Sequence, residues 1–320
     1  IWLPLIILGI DRIVNDKKPL LYIISLAIML VSNYYIGYMI CIFAVMYFLY
    51  VSYIKEYKDY VLKDKLKEFG KTFSIFSGSS LLSAGLGSFI LLPAFYTLLD
   101  SKIGLEPIEL IFKFAYNPLD IVSRFLLGAF DLENIAAGYP NIFVGTVAFI
   151  SYLSFYFNKA ISKKSKQGVF ILTLLMLLSM NVEALDLAWH AFQEPNWYPY
   201  RYAFIFSFML CLFGYESYLK KDNYELKEVM WYPIIYVLFA MYTFMYIDDV
   251  NLIEKFLIGL DIFLSLLVVT FMNLERNHRK SFVLLGIVII EVFLNTFVNL
   301  MYFSYMKSST YLGYDAALEE

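Results

Sequence analysis

Long apolar runs recur along this chain and alternate with short clusters of lysine and arginine, which leaves few folds open to it. The runs are Ile1–Ile10, Leu20–Ser32, Ile36–Tyr53, Phe73–Leu99, Ile142–Phe157, Val169–Met180, Ala203–Leu219, Val229–Tyr246, Leu252–Met272 and Ser281–Phe303. A helix needs about 20 apolar residues to cross the hydrocarbon core of a bilayer. On that criterion the expectation is nine complete spans preceded by the end of another. Composition agrees: of 320 residues, 61% are hydrophobic and 19% aromatic, and mean hydropathy is +0.66. Soluble domains sit near half apolar. The predicted fold class is all-α, a polytopic transmembrane helical bundle over residues 1–306, with the start of an extracytoplasmic segment at 307–320. The chain begins on Ile1, inside a half-length apolar run and without Met, so a fragment of a longer protein is expected.

The basic clusters orient the bundle. Arg12–Lys18, Lys55–Lys71, Lys159–Lys166, Lys220–Lys227 and Arg276–Lys280 hold most of the 25 lysines and arginines. Each cluster is separated from the next by an even number of spans, so one assignment places all of them in the cytoplasm. Ser32–Tyr35, the loop Asp100–Asn141, the segment Asn181–Tyr202, the turn Ile247–Asn251 and the tail then face outward. In the long loop, Pro107 and Pro118 are placed to start helices, the second with Ile121, Val122, Phe125 and Leu126 together on one face. These are read as interfacial helices, or as caps on the bundle. Two runs, Leu20–Ser32 and Val169–Met180, fall well short of a span. They are expected to leave polar backbone in an outward recess, because irregular backbone at that depth must border protein or water.

The segment Asn181–Tyr202 carries the most chemistry. Arg201, just ahead of a span, offers a planar fork suited to two phosphate oxygens, or else pairs with Glu194. Trp197, Tyr198, Tyr200 and Tyr202 would stack on a sugar or anchor in the headgroup belt, and Asn196 would bind a hydroxyl. Glu183, Asp186 and His190 share one face of a helix at i, i+3 and i+7, so Glu183 and His190 are candidates for a general base. Asp186 is expected on a solvated face. Asn33 and Tyr34, with Tyr35 and Tyr38, either line the recess or form a helix-breaking turn. Asp261 and Glu291 lie inside spans, where carboxylates are costly; Asn295, one turn on, is the expected partner of Glu291.

Several classes lack their parts in these residues. No glycine-rich phosphate loop, paired histidine ligands, CxxC or GxSxG is present, so no metal site and no cofactor are expected. Cys41 and Cys211 lie in apolar runs and read as buried thiols. Net charge is −3, and no basic stripe points to nucleic acid.

Four stretches in order, Ser32–Phe43 (SNYYIGYMICIF), Leu91–Leu98 (LLPAFYTL), Tyr139–Gly145 (YPNIFVG) and Glu194–Phe208 (EPNWYPYRYAFIFSF), resemble the YfhO-type bacterial membrane proteins. That family is similar to the GT-C glycosyltransferases, inverting polytopic enzymes that use a polyprenyl-phosphate sugar outside the membrane. The resemblance implies a GT-C-like bundle in a bacterial plasma membrane, with its active face extracytoplasmic. It implies an undecaprenyl-phosphate-linked sugar as donor and a cell-surface glycopolymer such as lipoteichoic acid as acceptor. A separate polyprenyl-phosphate glycosyltransferase and a flippase would supply that donor. Arg201 would bind the donor phosphate, and Asn33 and Tyr34 would line the pocket. The family's usual catalytic carboxylate would precede Ile1. The rival reading is a transporter or flippase of a lipid-linked sugar.

Overall fold

A computed structural model describes residues 2–55, 62–101, 111–128, 138–193, 195, 199–220, 225–247, 252–272 and 278–301. The Pro107 helix and the tail from Lys307 lie outside them. A helix stands at every predicted run: α1 Leu3–Asp16, α2 Leu20–Ser32, α3 Tyr34–Ile54, α4 Leu62–Leu86, α5 Ser88–Ser101, α6 Thr146–Phe157, α7 Lys163–Ser179, α8 Glu183–Trp189, α9 Ala203–Lys220, α10 Leu226–Val229, α11 Trp231–Tyr246, α12 Leu252–Met272 and α13 His278–Met301. Among the described residues no strand forms, and one isolated bridge joins Phe114 to Val182. The protein is an all-α helical bundle.

Three helical stretches, Tyr34–Ile54, Lys227–Tyr246 and His278–Val298, are long and apolar enough to cross a membrane. The pair Leu62–Leu86 and Ser88–Thr97 makes a fourth if counted together, although it bends by 77° at the intervening break. The single run Phe73–Leu99 is thus two helices meeting at Gly87, a residue of low helix propensity. The short-run inference is corrected in one of its two cases. α2 keeps the expected bounds, but α7 has 17 residues, or roughly 26 Å of helix, because Lys163–Gly168 form its first turns behind the Ser162 cap. Charged residues there interrupt the apolar pattern without interrupting the helix.

Two cores share one helix. The larger gathers α1–α4, α6, α7 and α9 around Ile10, Phe43, Phe48, Phe155 and Phe206. The second gathers α6 and α10–α13 around Phe149, Tyr236, Val268 and Ile287. α13 shows how the pattern reads in a chain apolar all round. Leu284, Ile287, Glu291 and Val298 are buried along one stripe, while Phe282, Leu285, Ile289 and Phe293 point outward. An outward surface this apolar suits lipid rather than water.

α6 and α9 are the most intimate pair, and small residues allow it. A Cβ on Gly214 would lie 2.8 Å from the Ala148 carbonyl oxygen. Ser154 and Ser217 hydroxyls meet at 2.9 Å, and Asn158 donates to the Ser217 carbonyl at 3.1 Å. Close backbone approach through small residues, backed by polar pairs, is the usual means of helix association in lipid. Gly214→Val is expected to destabilise by about 1–3 kcal/mol, because backbone cannot yield as a side chain can. Gly78→Ala, where nothing lies within 4 Å, should be neutral or slightly stabilising. Thermal unfolding of both variants in detergent would separate them.

Candidate functional site

The polar recess is built where α3, α7, α8 and α9 end. Past α7 the chain pairs briefly with the outer loop: Ala115 N–H donates to the Asn181 carbonyl at 2.8 Å, and Glu183 N–H to the Lys113 carbonyl at 3.2 Å. The Asn181 amide donates to the Tyr116 carbonyl at 3.0 Å. This clamp fixes the start of α8. The helix stops after Trp189, with Phe192 N–H returning to the Leu187 carbonyl at 2.8 Å. Ala191 (φ 54°) and Phe192 (φ 58°) are both left-handed, at a cost of roughly 1–2 kcal/mol each for residues other than glycine. Tyr200 (φ 58°) is left-handed too, in the turn that leads into α9.

The expectation that Glu183, Asp186 and His190 share a helix face is corrected, because α8 is too short to include His190. Glu183 turns outward to Lys113 at 3.2 Å, an exposed pair worth at most about 1 kcal/mol. Asp186 and His190 turn inward together. Asp186 is not solvated: its side chain is 16% exposed, and its Oδ1 accepts from the Tyr202 hydroxyl at 2.9 Å. Burial raises its carboxyl above the ordinary range, against the pull of His190 and the Tyr202 hydroxyl. The folded state therefore holds this proton more tightly than the unfolded chain does. The group's contribution to stability is full at low pH and falls as pH rises past the ordinary carboxylate range.

His190 is 1% exposed. Its Nδ1 lies 2.9 Å from the Asp186 backbone carbonyl, which can only accept, so Nδ1 carries the proton. Nε2 is buried without a hydrogen-bond partner. In the neutral ring that leaves the Nε2 lone pair unanswered.

Arg201 is half-buried, with Cζ 5.1 Å from the centre of the Tyr35 ring. This is cation–π range. The same Tyr35 ring is 6.2 Å from His190. Tyr35 stands in the first turn of α3, whose N-cap is Asn33, accepting from Ile36 N–H at 3.0 Å. Asn33 thus makes the turn that positions Tyr35, and Tyr34 is 40% exposed beside it. Tyr38 reaches across to donate to the Ala188 carbonyl at 2.9 Å. Tyr202 is fully buried, stacked on Trp189 at 4.5 Å, and donates to the Ser179 carbonyl at 2.7 Å as well as to Asp186. Asn196, Trp197, Tyr198 and Glu194 lie outside the described residues.

The structure adds partners that sequence reasoning missed. Tyr200, 9% exposed, meets Tyr116 edge-on at 6.1 Å, and Tyr116 meets Tyr139 at 4.9 Å. Arg124 lies over Tyr139 at 4.4 Å, and Asp120 accepts from both Tyr139 (3.0 Å) and Tyr242 (2.8 Å). A run of tyrosines therefore links two arginines that are far apart in the chain. The Pro118–Phe125 segment supplying Asp120 and Arg124 is a 3-10 helix that stacks Phe125 on Phe149 at 4.5 Å. Its signals were Pro118 and the isolated Arg124. Among the described residues no group of three His, Cys, Asp or Glu could hold a metal ion.

A family model described as bacterial membrane protein YfhO matches residues 1–319. The chain belongs to the YfhO family. It is a membrane protein, as its apolar helices indicate. The YfhO protein of Bacillus subtilis (strain 168) is 26% identical over 101 residues, which make up 32% of this chain and 11% of that protein. No solved structure matches. In this YfhO-family chain the resemblance of Ser32–Phe43 and Glu194–Phe208 now has a spatial counterpart, since Tyr35 and Arg201 come from those two stretches and meet.

Removing the Tyr202 hydroxyl tests the frame of the recess. Tyr202→Phe leaves the Ser179 carbonyl and the Asp186 carboxyl without this donor, at a cost of about 1–3 kcal/mol. Lys113→Ala should change stability by less than about 0.5 kcal/mol. Unfolding temperatures of the two variants give the comparison.

Proposed function

We propose that this chain is the donor-binding part of a membrane glycosyltransferase. The donor is a sugar carried on undecaprenyl phosphate, and the acceptor is a hydroxyl on an extracytoplasmic glycopolymer such as lipoteichoic acid. The bundle is GT-C-like on this reading and sits in the bacterial plasma membrane with the recess facing outward. The observation that carries it is the placement of Arg201, half-buried on the Tyr35 ring beside His190 and the Asp186–Tyr202 pair. A guanidinium held against an aromatic face keeps its fork oriented, which suits two oxygens of a lipid phosphate. As the bond from sugar to phosphate breaks, charge grows on the leaving phosphate, and a fixed cation there lowers the barrier.

The neighbours divide the remaining work. Asn33 and Tyr34 border the entrance, while Tyr200 and Tyr202 hold the turn that presents Arg201. Asn196, Trp197 and Tyr198 follow in the same outer segment and would meet the sugar. His190 Nε2 is a buried acceptor here without a hydrogen-bond partner, as are Asn181 Oδ1 and the Tyr116 hydroxyl. A flippase is the second reading. The 77° break between α4 and α5 favours it, since broken helices are common in transporters.

Transfer of labelled sugar from a synthetic polyprenyl-phosphate donor by the full-length protein in proteoliposomes tests the proposal. Arg201→Ala is expected to lower the transfer rate by about a hundredfold or more. Arg201→Lys should recover part of that loss, since it keeps the charge without the fork. Wild-type turnover in Arg201→Ala at normal expression would remove the phosphate role. Sugar that crosses the vesicle membrane without being transferred would favour the flippase.

A further inference from the structure

A second buried polar cluster lies in the smaller core, away from the Arg201 recess. Thr146 opens α6, Asp261 lies in α12 and Glu291 in α13, and none is more than 1% exposed. Glu291 accepts from the Thr146 N–H through both oxygens, at 2.9 and 3.1 Å. Gly145 (φ 84°) permits that approach, because a Cβ there would lie 2.8 Å from Glu291 Oε2. Asp261 Oδ2 accepts from the Leu127 N–H at 3.0 Å. The Thr146 hydroxyl then meets both acids, Asp261 Oδ1 at 2.7 Å and Glu291 Oε1 in close hydrogen-bond contact. Tyr236 of α11 is fully buried, makes no hydrogen bond through its hydroxyl, and has Thr146, Asp261 and Glu291 as polar neighbours.

Counting protons decides the state of this cluster. The threonine hydroxyl has one proton, and two carboxyl oxygens lie against it. If it donates to Asp261, then Glu291 must hold a proton of its own to donate back, and the converse holds equally. Two bare carboxylates held against one hydroxyl in a dry interior repel strongly, and such pairs retain one proton between them.

We propose that Asp261, Glu291 and Thr146 form an intramembrane proton-binding site in which the two carboxyls share one proton, and that this proton fastens both flanks of the outer loop to the bundle. The flanks are Leu127, held by Asp261, and Thr146, held by Glu291. Tyr236, with its hydroxyl unspent, is the donor available when the shared proton leaves. Among the described residues the packed elements offer no other counter-charge. α6 and α11 carry no charged residue. On α12 the other charges are Glu254 and Lys255, near its start, and on α13 they are His278, Arg279 and Lys280, also near its start. Of these, Lys280 is turned to the Met272 carbonyl at 3.2 Å. Asp120 and Arg124 of the 3-10 helix are engaged with Tyr139, and Glu216 and Lys220 of α9 pair with each other. The site stands independently of the glycosyltransferase reading.

The test uses full-length protein in nanodiscs with choline as the only bulk cation. Thermal unfolding is followed from about pH 5 to pH 9 for wild type, Asp261→Asn and Glu291→Gln. Either amide satisfies the threonine without an added proton. The wild type should lose up to about tenfold in its folding equilibrium per pH unit relative to either variant, the limit for one proton. Taking that difference removes the contribution of Asp186, and of any other group that all three proteins share. Infrared difference spectra at neutral pH should show one protonated-carboxyl band in the wild type that vanishes in each single variant. Parallel pH profiles, no band difference, or a band lost in only one variant would overturn the shared proton. Restoration of wild-type stability at high pH by sodium would overturn it in favour of a cation. Should one amide variant fail to fold, the other variant and the sodium arm still decide.

Discussion

Polar groups inside this bundle have no water to turn to, and the fold is organised by how most of them are answered from within. Helical serines and threonines return their hydroxyls to the preceding turn, as Ser25 does to Leu21 and Thr173 to Val169. Others bridge helices, as Tyr50 does to Ser165 and Ser83 to the Ile23 carbonyl. Larger demands are met at helix ends. There Asn158, Asn33 and Thr146 each satisfy backbone and side chain together. Apolar packing holds the helices in place, but these pairings fix which helices adjoin and at what height.

The cluster around Arg201 follows the same rule with shortfalls at His190 Nε2, Asn181 Oδ1 and the Tyr116 hydroxyl. Tyr202, Asp186 and Trp189 are mutually satisfied and rigid, while His190 keeps one nitrogen unanswered. The cost of three non-glycine residues in left-handed backbone is concentrated in the same segment. Strain and an unspent polar atom occurring together mark a place shaped for something other than stability. Tyr35 is the link, since it receives Arg201 on its ring and has His190 beside it.

Helix positions were legible because apolar runs and basic clusters report them directly, and α2, α9 and α12 begin and end within a residue of their predicted bounds. Charged first turns hid the length of α7, and a single apolar run concealed the break at Gly87. The stretch around Arg201 stood out by its aromatics, while its contact with Tyr35 of α3 did not. The burial of Asp186 was not legible either, because it depends on Tyr202 folding back across sixteen positions and on the strand-like clamp from 111–116. The partner of Glu291 was sought at Asn295, one turn away, yet its bonds run to Thr146 on another helix. Local spacing finds neighbours on one helix; it has no view of a tertiary contact across 145 positions.

The sharing of α6 between the two cores has a mechanical consequence. Phe155 packs on Phe213 in the larger core, while Phe149 packs on Phe125 and Tyr236 in the smaller one. A displacement of α11–α13 cannot be absorbed at a soft boundary, because the helix between the two cores belongs to both. It is passed on through α6 to α9, and so to the turn that presents Arg201. The position of α6 thus bears at once on the smaller core and, through α9, on the turn that presents Arg201.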